Sequence, residues 1–262
     1  EKIIFGLTNL HFRFGHISIA QYFSAPFNFG NFLVNGITAP TAILYSVFIL
    51  FFLNEFKSKK NYNFMKFVSF IILTTSIFGM NRYSSMGNDV SANIFFFLVI
   101  FYFLKNFKKN NDHLIFNKQI FYSTICFLCK PTMILVFIFP LFEIFRNYKI
   151  FKLSKIILFC FIFLTSWTIK NFVNSSCLLY PSEITCINTP WSSKGSEISD
   201  PKLIEIQSEA WSKDFPNRKN KSLDYFEYSE NFNWLSTWLE HHFKIVLENI
   251  SFFYNIFYFI GF

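Results

Sequence analysis

Apolar runs punctuate the chain at residues 32–53, 64–80, 90–104, 119–145 with an interruption at Lys130-Pro131, 156–173 and 243–262. A straight membrane-spanning helix needs about 20 apolar residues, and several of these runs are shorter. The short ones are expected to borrow flanking Asn, Ser and Tyr residues, to snorkel their lysines, or to sit where the bilayer thins. Between the runs lie polar connections, and one long polar segment occupies residues 174–242.

The connections sort by charge. Residues 55–66 carry Lys57, Lys59, Lys60 and Lys66; residues 105–118 carry Lys105, Lys108, Lys109 and Lys118; residues 146–155 carry Arg146, Lys149, Lys152 and Lys155. The positive-inside bias makes these three cytoplasmic. By parity, residues 81–89, the Lys130-Pro131 break and the long segment after Val173 face the other side. Parity closes only if residues 119–129 and 132–145 are two short spans meeting at Lys130-Pro131. A proline disfavours helical geometry in the residue before it and lacks a backbone donor, so a turn there is physically reasonable. The alternative is one long proline-kinked helix, which would invert everything downstream.

Composition agrees with lipid as the solvent. Of 262 residues, 52% are hydrophobic, 42 are Phe and only 15% are charged, more apolar surface than one soluble core hides. The net charge of +8 does not indicate nucleic acid, because the basic residues cluster between apolar runs and no nucleic-acid-binding motif is present. The expected fold is an all-α polytopic membrane protein with about six to seven transmembrane or half-spanning helices and a small extracytoplasmic cap. Its expected parts are a half-inserted extracytoplasmic segment (residues 1–31), a helix bundle (32–173), an extracytoplasmic loop domain (174–242) and the start of a further span (243–262). The chain has no initiator Met and ends within an apolar run, so sequence is expected beyond both ends.

Five cysteines divide by setting. Cys126, Cys129 and Cys160 lie in apolar runs and read as small buried hydrophobes; the Cys126–Cys129 spacing resembles half of a redox or zinc site without a second pair. Cys177 and Cys186 flank Tyr180-Pro181 in the polar segment and are expected to form a disulfide in an oxidising compartment, with two free thiols as the alternative. In the same segment residues 201–213 are amphipathic, placing Leu203, Ile206, Ala210 and Trp211 near one helical face. Trp234 and Trp238 precede the last apolar run, as interfacial anchors or as surfaces for sugar stacking.

Several of these motifs together carry a family resemblance. Gly6-Leu7-Thr8-Asn9-Leu10-His11-Phe12-Arg13-Phe14-Gly15, the loop Ser84-Ser85-Met86-Gly87-Asn88-Asp89, the Lys130-Pro131 break, and Trp167-Thr168-Ile169-Lys170-Asn171 leading to Cys177-Leu178-Leu179-Tyr180-Pro181 resemble bacterial members of the GT-C glycosyltransferase superfamily. More narrowly, they look like relatives of the protein O-mannosyltransferases and lipid A aminoarabinose transferases. The resemblance implies sugar transfer from a polyprenyl-phosphate donor on the extracytoplasmic side of the inner (cytoplasmic) membrane, to an acceptor the sequence does not identify. It also implies an acidic catalytic residue in a first outer loop, which would precede Glu1.

Such a reaction needs cations for the departing lipid phosphate and a base for the acceptor hydroxyl. Lys130 is the sharpest substrate-binding candidate, since an ionisable group between apolar half-spans is costly unless it meets an anion or a wet cavity. Its alternative is a loop lysine snorkelling to water. Arg82 and Asp89 share a short outer loop, with helix N-capping the structural alternative for Asp89. His11, Arg13 and His16 are further candidates for phosphate or acceptor contacts. His241-His242 lacks a third ligand at suitable spacing, so no metal is assigned and no cofactor is identified. Two other classes stay open: a cell-surface polysaccharide polymerase or ligase, and a transporter, which should show a hydropathy repeat with paired broken helices.

Overall fold

The computed structural model describes residues 35–58, 62–79, 89–108, 112–152, 154–180, 182–190, 200–244, 246–248 and 250–251. These residues form helices and short loops without a named strand, so the fold class is all-α. The chain divides into two units, one of residues 13–169 and one whose larger part is residues 170–262.

The first unit contains α1 (Asn35–Lys57), α2 (Asn63–Gly79), α3 (Asp89–Lys108), α4 (His113–Cys129), a 3-10 segment (Pro131–Phe137), α5 (Ile138–Arg146) and most of α6 (Lys155–Ser175). Several polar side chains inside these apolar helices hide their hydroxyls on their own backbone. Ser69 donates to the Met65 carbonyl, Ser76 to Ile72 and Thr165 to Phe161, each one turn back. Back-bonding of this kind satisfies a hydroxyl without water, which an apolar solvent requires.

Aromatic rings build the core. Phe48 and Phe52 of α1, Met65 and Ile72 of α2, and Ile94, Phe101 and Tyr102 of α3 are buried together. Phe52 meets Phe101 edge-to-face at 5.1 Å between centroids, the geometry ring quadrupoles favour. A second cluster of Val99, Cys126 and Val136 joins α3, α4 and the 3-10 segment.

Helix directions follow from named contacts. Ala92 meets Cys126, Phe95 meets Tyr122, and Lys118 lies over the Tyr102 ring, so α3 and α4 are antiparallel. Phe96 meets Phe139, Phe103 meets Phe142, and Asn106 meets Glu143, so α5 runs parallel to α3 and antiparallel to α4. The chain therefore reverses at Lys130-Pro131 and does not continue as one kinked helix. Phe121 meets Phe159 and Phe127 meets Trp167, so α6 runs alongside α4 in the same direction.

One consequence is that the three basic stretches gather at one end of this unit. Lys105 pairs with Glu55 at 3.2 Å, and Lys108 lies over the rings of Tyr62 and Phe64. Ser154 donates to Asn117 at 3.3 Å, and the His113 ring lies 3.5 Å from the Lys152 carbonyl. Lys130 caps the opposite end of α4.

Among the described residues two stretches are long and apolar enough to cross a membrane, Val90–Lys108 and Lys155–Val173, and Asn63–Ile77 is a shorter apolar helix. Only 11% of the Lys155–Val173 window is buried, whereas a core helix of a soluble protein is mostly buried. Leu158, Phe161, Ile162 and Ile169 all face outward from it. A helix apolar on every side and covered on few supports membrane association.

The second unit holds α7 (Pro201–Ser212), α8 (Tyr225–Ser229), α9 (Leu235–Trp238) and a π-helical turn (Leu239–Phe243). Ile204 packs with Cys177 and Tyr180, while Ala210 packs with Phe215 and Tyr228. Of the expected face of residues 201–213, Ala210 is buried, Leu203 and Ile206 are half-buried and Trp211 is exposed, and Ile204 is buried as well. Arg218 ties the second cluster, with its guanidinium 3.7 Å from the Phe215 ring centroid and its donors on the carbonyls of Phe215, Lys221 and Leu223.

Candidate functional site

The tip at Lys130 is set by its neighbour. Lys130 is in extended geometry (φ −148°, ψ 100°), as the residue before a proline prefers, while its own N–H still closes the last turn of α4 on the Cys126 carbonyl at 3.0 Å. Pro131 opens the 3-10 segment, where a missing N–H costs nothing. Met133 donates from its backbone N to the Lys130 carbonyl at 2.8 Å, which completes the reversal. The Lys130 side chain is half-buried at this tip.

The other sequence candidates distribute differently. Asp89 is the first residue of α3. His11, Arg13, His16 and Arg82 lie outside the described residues. Cys126 and Cys129 are free thiols beside the tip, Cys126 buried with its Sγ 3.4 Å from the Ala92 carbonyl. Among the described residues no three His, Cys, Asp or Glu side chains group as a metal set.

Cys177 and Cys186 are joined by a disulfide. The bond lies at an antiparallel bridge between the same two residues, with Ile187 N donating to the Ser176 carbonyl and Leu178 N to that of Thr185. Ser176 starts the bridge with a positive φ of 62°. Tyr180 is buried against this bridge, and burial, helped by the nearby Asp200 charge, pushes its phenol up to about 12.

Sequence reasoning missed a polar cluster at the basic end. Glu143, Asn106 and Gln119, from α5, α3 and α4, are all fully buried. Asn106 Nδ2 donates to Glu143 Oε2, and Asn106 Oδ1 accepts from the Asp112 backbone N at 2.8 Å. With its amide nitrogen turned toward the carboxylate, Gln119 donates to Glu143 Oε2 at 3.1 Å and Oε1 at 3.2 Å. The signal was available, since Glu143 is the carboxylate inside an otherwise apolar run, and such residues are rare and purposeful in membrane helices. Chemically the cluster is a clamp: one acceptor draws donors from two other helices and fixes their register while the tip stays clear of it.

Neither a curated protein nor a solved structure matches the chain. A family model described as Domain of unknown function (DUF8201) matches residues 2–262. With nearly its whole length covered, the chain belongs to that family.

Proposed function

We propose that this chain is a multi-pass protein of the bacterial cytoplasmic membrane that transfers a sugar from a polyprenyl-phosphate donor on the extracytoplasmic face. The observation that carries the membrane part is α6, an apolar helix with little of its surface covered. The orientation draws on the gathering of three basic stretches at one end of the first unit, which suits a cytoplasmic face, with Lys130 at the other. A disulfide between Cys177 and Cys186 suits an oxidising compartment for the polar segment. Sugar transfer draws on the motif resemblance, and on a half-buried lysine at a re-entrant tip, a suitable partner for a lipid phosphate.

Two measurements on the full-length protein test this. With the free cysteines replaced, Ser222→Cys should react with a membrane-impermeant maleimide in intact cells and Lys149→Cys should not. The reverse pattern overturns the orientation. Membranes containing the protein should consume a radiolabelled polyprenyl-phosphate hexose and yield a labelled acceptor, and no turnover across hexose and pentose donors would sink the enzymatic reading.

A further inference from the structure

The loop closed by Cys177 and Cys186 holds apolar side chains outward. Across an antiparallel bridge, successive side chains alternate between the two faces of the backbone. The paired cysteines take the inner face, where Cys177 is fully buried and packs with Tyr180 and Ile204. Their neighbours Leu178 and Ile187 take the other face and are 46% and 53% exposed. Ile184 lies in the 3-10 turn Glu183–Thr185 at the tip and is 96% exposed.

The turn holds Ile184 away from the rest of the loop. Thr185 Oγ1 donates to the Ser182 carbonyl at 2.9 Å and accepts from the Leu179 N–H at 3.0 Å. The Glu183 N–H donates to Glu205 Oε2 of α7 at 3.1 Å. With the disulfide, these contacts fix the backbone on both sides of Ile184. An apolar side chain that its own loop cannot cover gains free energy once another apolar phase covers it.

Chain continuity says which phase that is. α6 has 21 residues, about 31 Å at 1.5 Å each, close to the roughly 30 Å of a bilayer's hydrocarbon core. Val173 in its last turn is exposed, so the apolar surface of the helix runs on to the loop. Leu178 follows Ser175 within about 11 Å of extended chain, and the headgroup layer is about 5 to 7 Å deep on each side. The loop therefore begins within that layer or at its rim. From Asn171 to Ser193 the sequence holds no Lys or Arg, and Glu183 is its one acidic residue, so apolar contact and not charge draws the loop to a surface. Three side chains also fall far short of the about 800 Å² per partner that a stable protein interface buries.

We propose that Leu178, Ile184 and Ile187 form a fingertip that inserts into the interfacial layer of the lipid bilayer beside the end of α6. This rests on the membrane part of the reading above and not on sugar transfer. With Ile184 in lipid, the first fold of the polar segment is held at headgroup depth, where the polar end of a lipid-linked substrate lies.

Nitroxide accessibility in the full-length protein, reconstituted in phosphatidylcholine vesicles, tests the fingertip. All cysteines but Cys177 and Cys186 are replaced, and one label is placed in turn at Ile184→Cys, at Leu158→Cys on the exposed surface of α6 and at Ser222→Cys, an exposed polar position. Oxygen partitions into lipid and a nickel chelate into water. The ratio of their collision rates at Ile184 should exceed that at Ser222 several-fold, in the same lipid-like sense as Leu158. A water-like ratio at Ile184 with a lipid-like ratio at Leu158 overturns the fingertip and leaves the membrane reading standing. Water-like ratios at both positions remove the membrane reading and the fingertip with it. Low collision rates with both reagents at Ile184 mean that protein covers it, which also overturns the proposal. Non-reduced peptide mapping checks the Cys177–Cys186 bond in the labelled protein, and where Ile184→Cys disturbs it, Ile187→Cys gives the same readout from the bridge.

Discussion

Asn106 and Glu143, 37 positions apart, meet as donor and acceptor with neither side chain exposed to solvent. The contact fixes α5 against α3 at the end of the first unit where the basic stretches gather, and Gln119 extends it to α4. An apolar bundle has little directional preference of its own, since one Phe face slides over another at small cost. A carboxylate that accepts from two helices supplies the register.

Removing the acceptor should therefore cost more than neutralising it. Glu143→Ala leaves buried amide donors of Asn106 and Gln119 without an acceptor, at about 1 to 3 kcal/mol for each orphaned group. In Glu143→Gln the new amide still accepts from Asn106 and donates to Gln119 once that side chain turns its oxygen inward. Thermal unfolding in detergent should show a clear loss for Glu143→Ala and a near-wild-type midpoint for Glu143→Gln. Equal midpoints for Glu143→Ala and wild type would show that the cluster does not hold the helices.

The Cys177–Cys186 bond closes a loop with a sequence separation of 9. Loop closure of that size stabilises by roughly 2 to 3 kcal/mol through the unfolded chain. Paired replacement by Ala should lower the stability of the polar segment by about that amount and expose Tyr180 and Ile204 to limited proteolysis nearby. Non-reduced peptide mapping checks the bond itself; finding both residues as free thiols under oxidising conditions would remove the claim.

Legibility in the sequence followed the range of the interaction. The reversal at Lys130-Pro131 could be read because a proline acts on its own neighbour, and the shared end of the basic stretches because each carries its charge in its own composition. The buried face of α7 could not be read from periodicity alone. Its two ends dock on different clusters, Ile204 on Cys177 and Tyr180, Ala210 on Phe215 and Tyr228, so a single hydrophobic stripe describes only part of it. Glu143 with Asn106, and Asp214 with His241 at 27 positions apart, depend on which helices and turns become neighbours. That information is held by the whole packing and by no local segment.

Tyr180 gives the polar segment a defined response to alkali. Burial holds its phenol at about 12 against an ordinary value of 10.0, and Asp200 adds to the effect; burial moves Tyr228 the same way. The folded state thus binds this proton more tightly than the unfolded state. The resulting stability is fully present below pH 10 and is lost as pH rises toward 12. Tyrosinate absorbance should show fewer phenols titrating near 10 in folded wild type than in urea-unfolded protein, and the late titration should lose one phenol in Tyr180→Phe. A Tyr180→Phe titration identical to wild type above pH 10 would contradict the burial argument.

Lys130 carries the last prediction, because on the proposed topology its ammonium sits at the depth of a carrier phosphate. A charge-assisted contact in a partly dry site is worth about 1.5 to 3 kcal/mol. Lys130→Met keeps the length and apolar bulk of the side chain while deleting its charge, and Pro131 still directs the reversal, so insertion and folding should survive. Transfer from a polyprenyl-phosphate sugar at subsaturating donor should fall by roughly ten- to a hundredfold. Lys130→Arg should recover only part of it, since a planar guanidinium presents its donors differently from a compact ammonium. Wild-type transfer in Lys130→Met would make Lys130 a snorkelling residue of the loop, and the donor phosphate would then have to be held elsewhere.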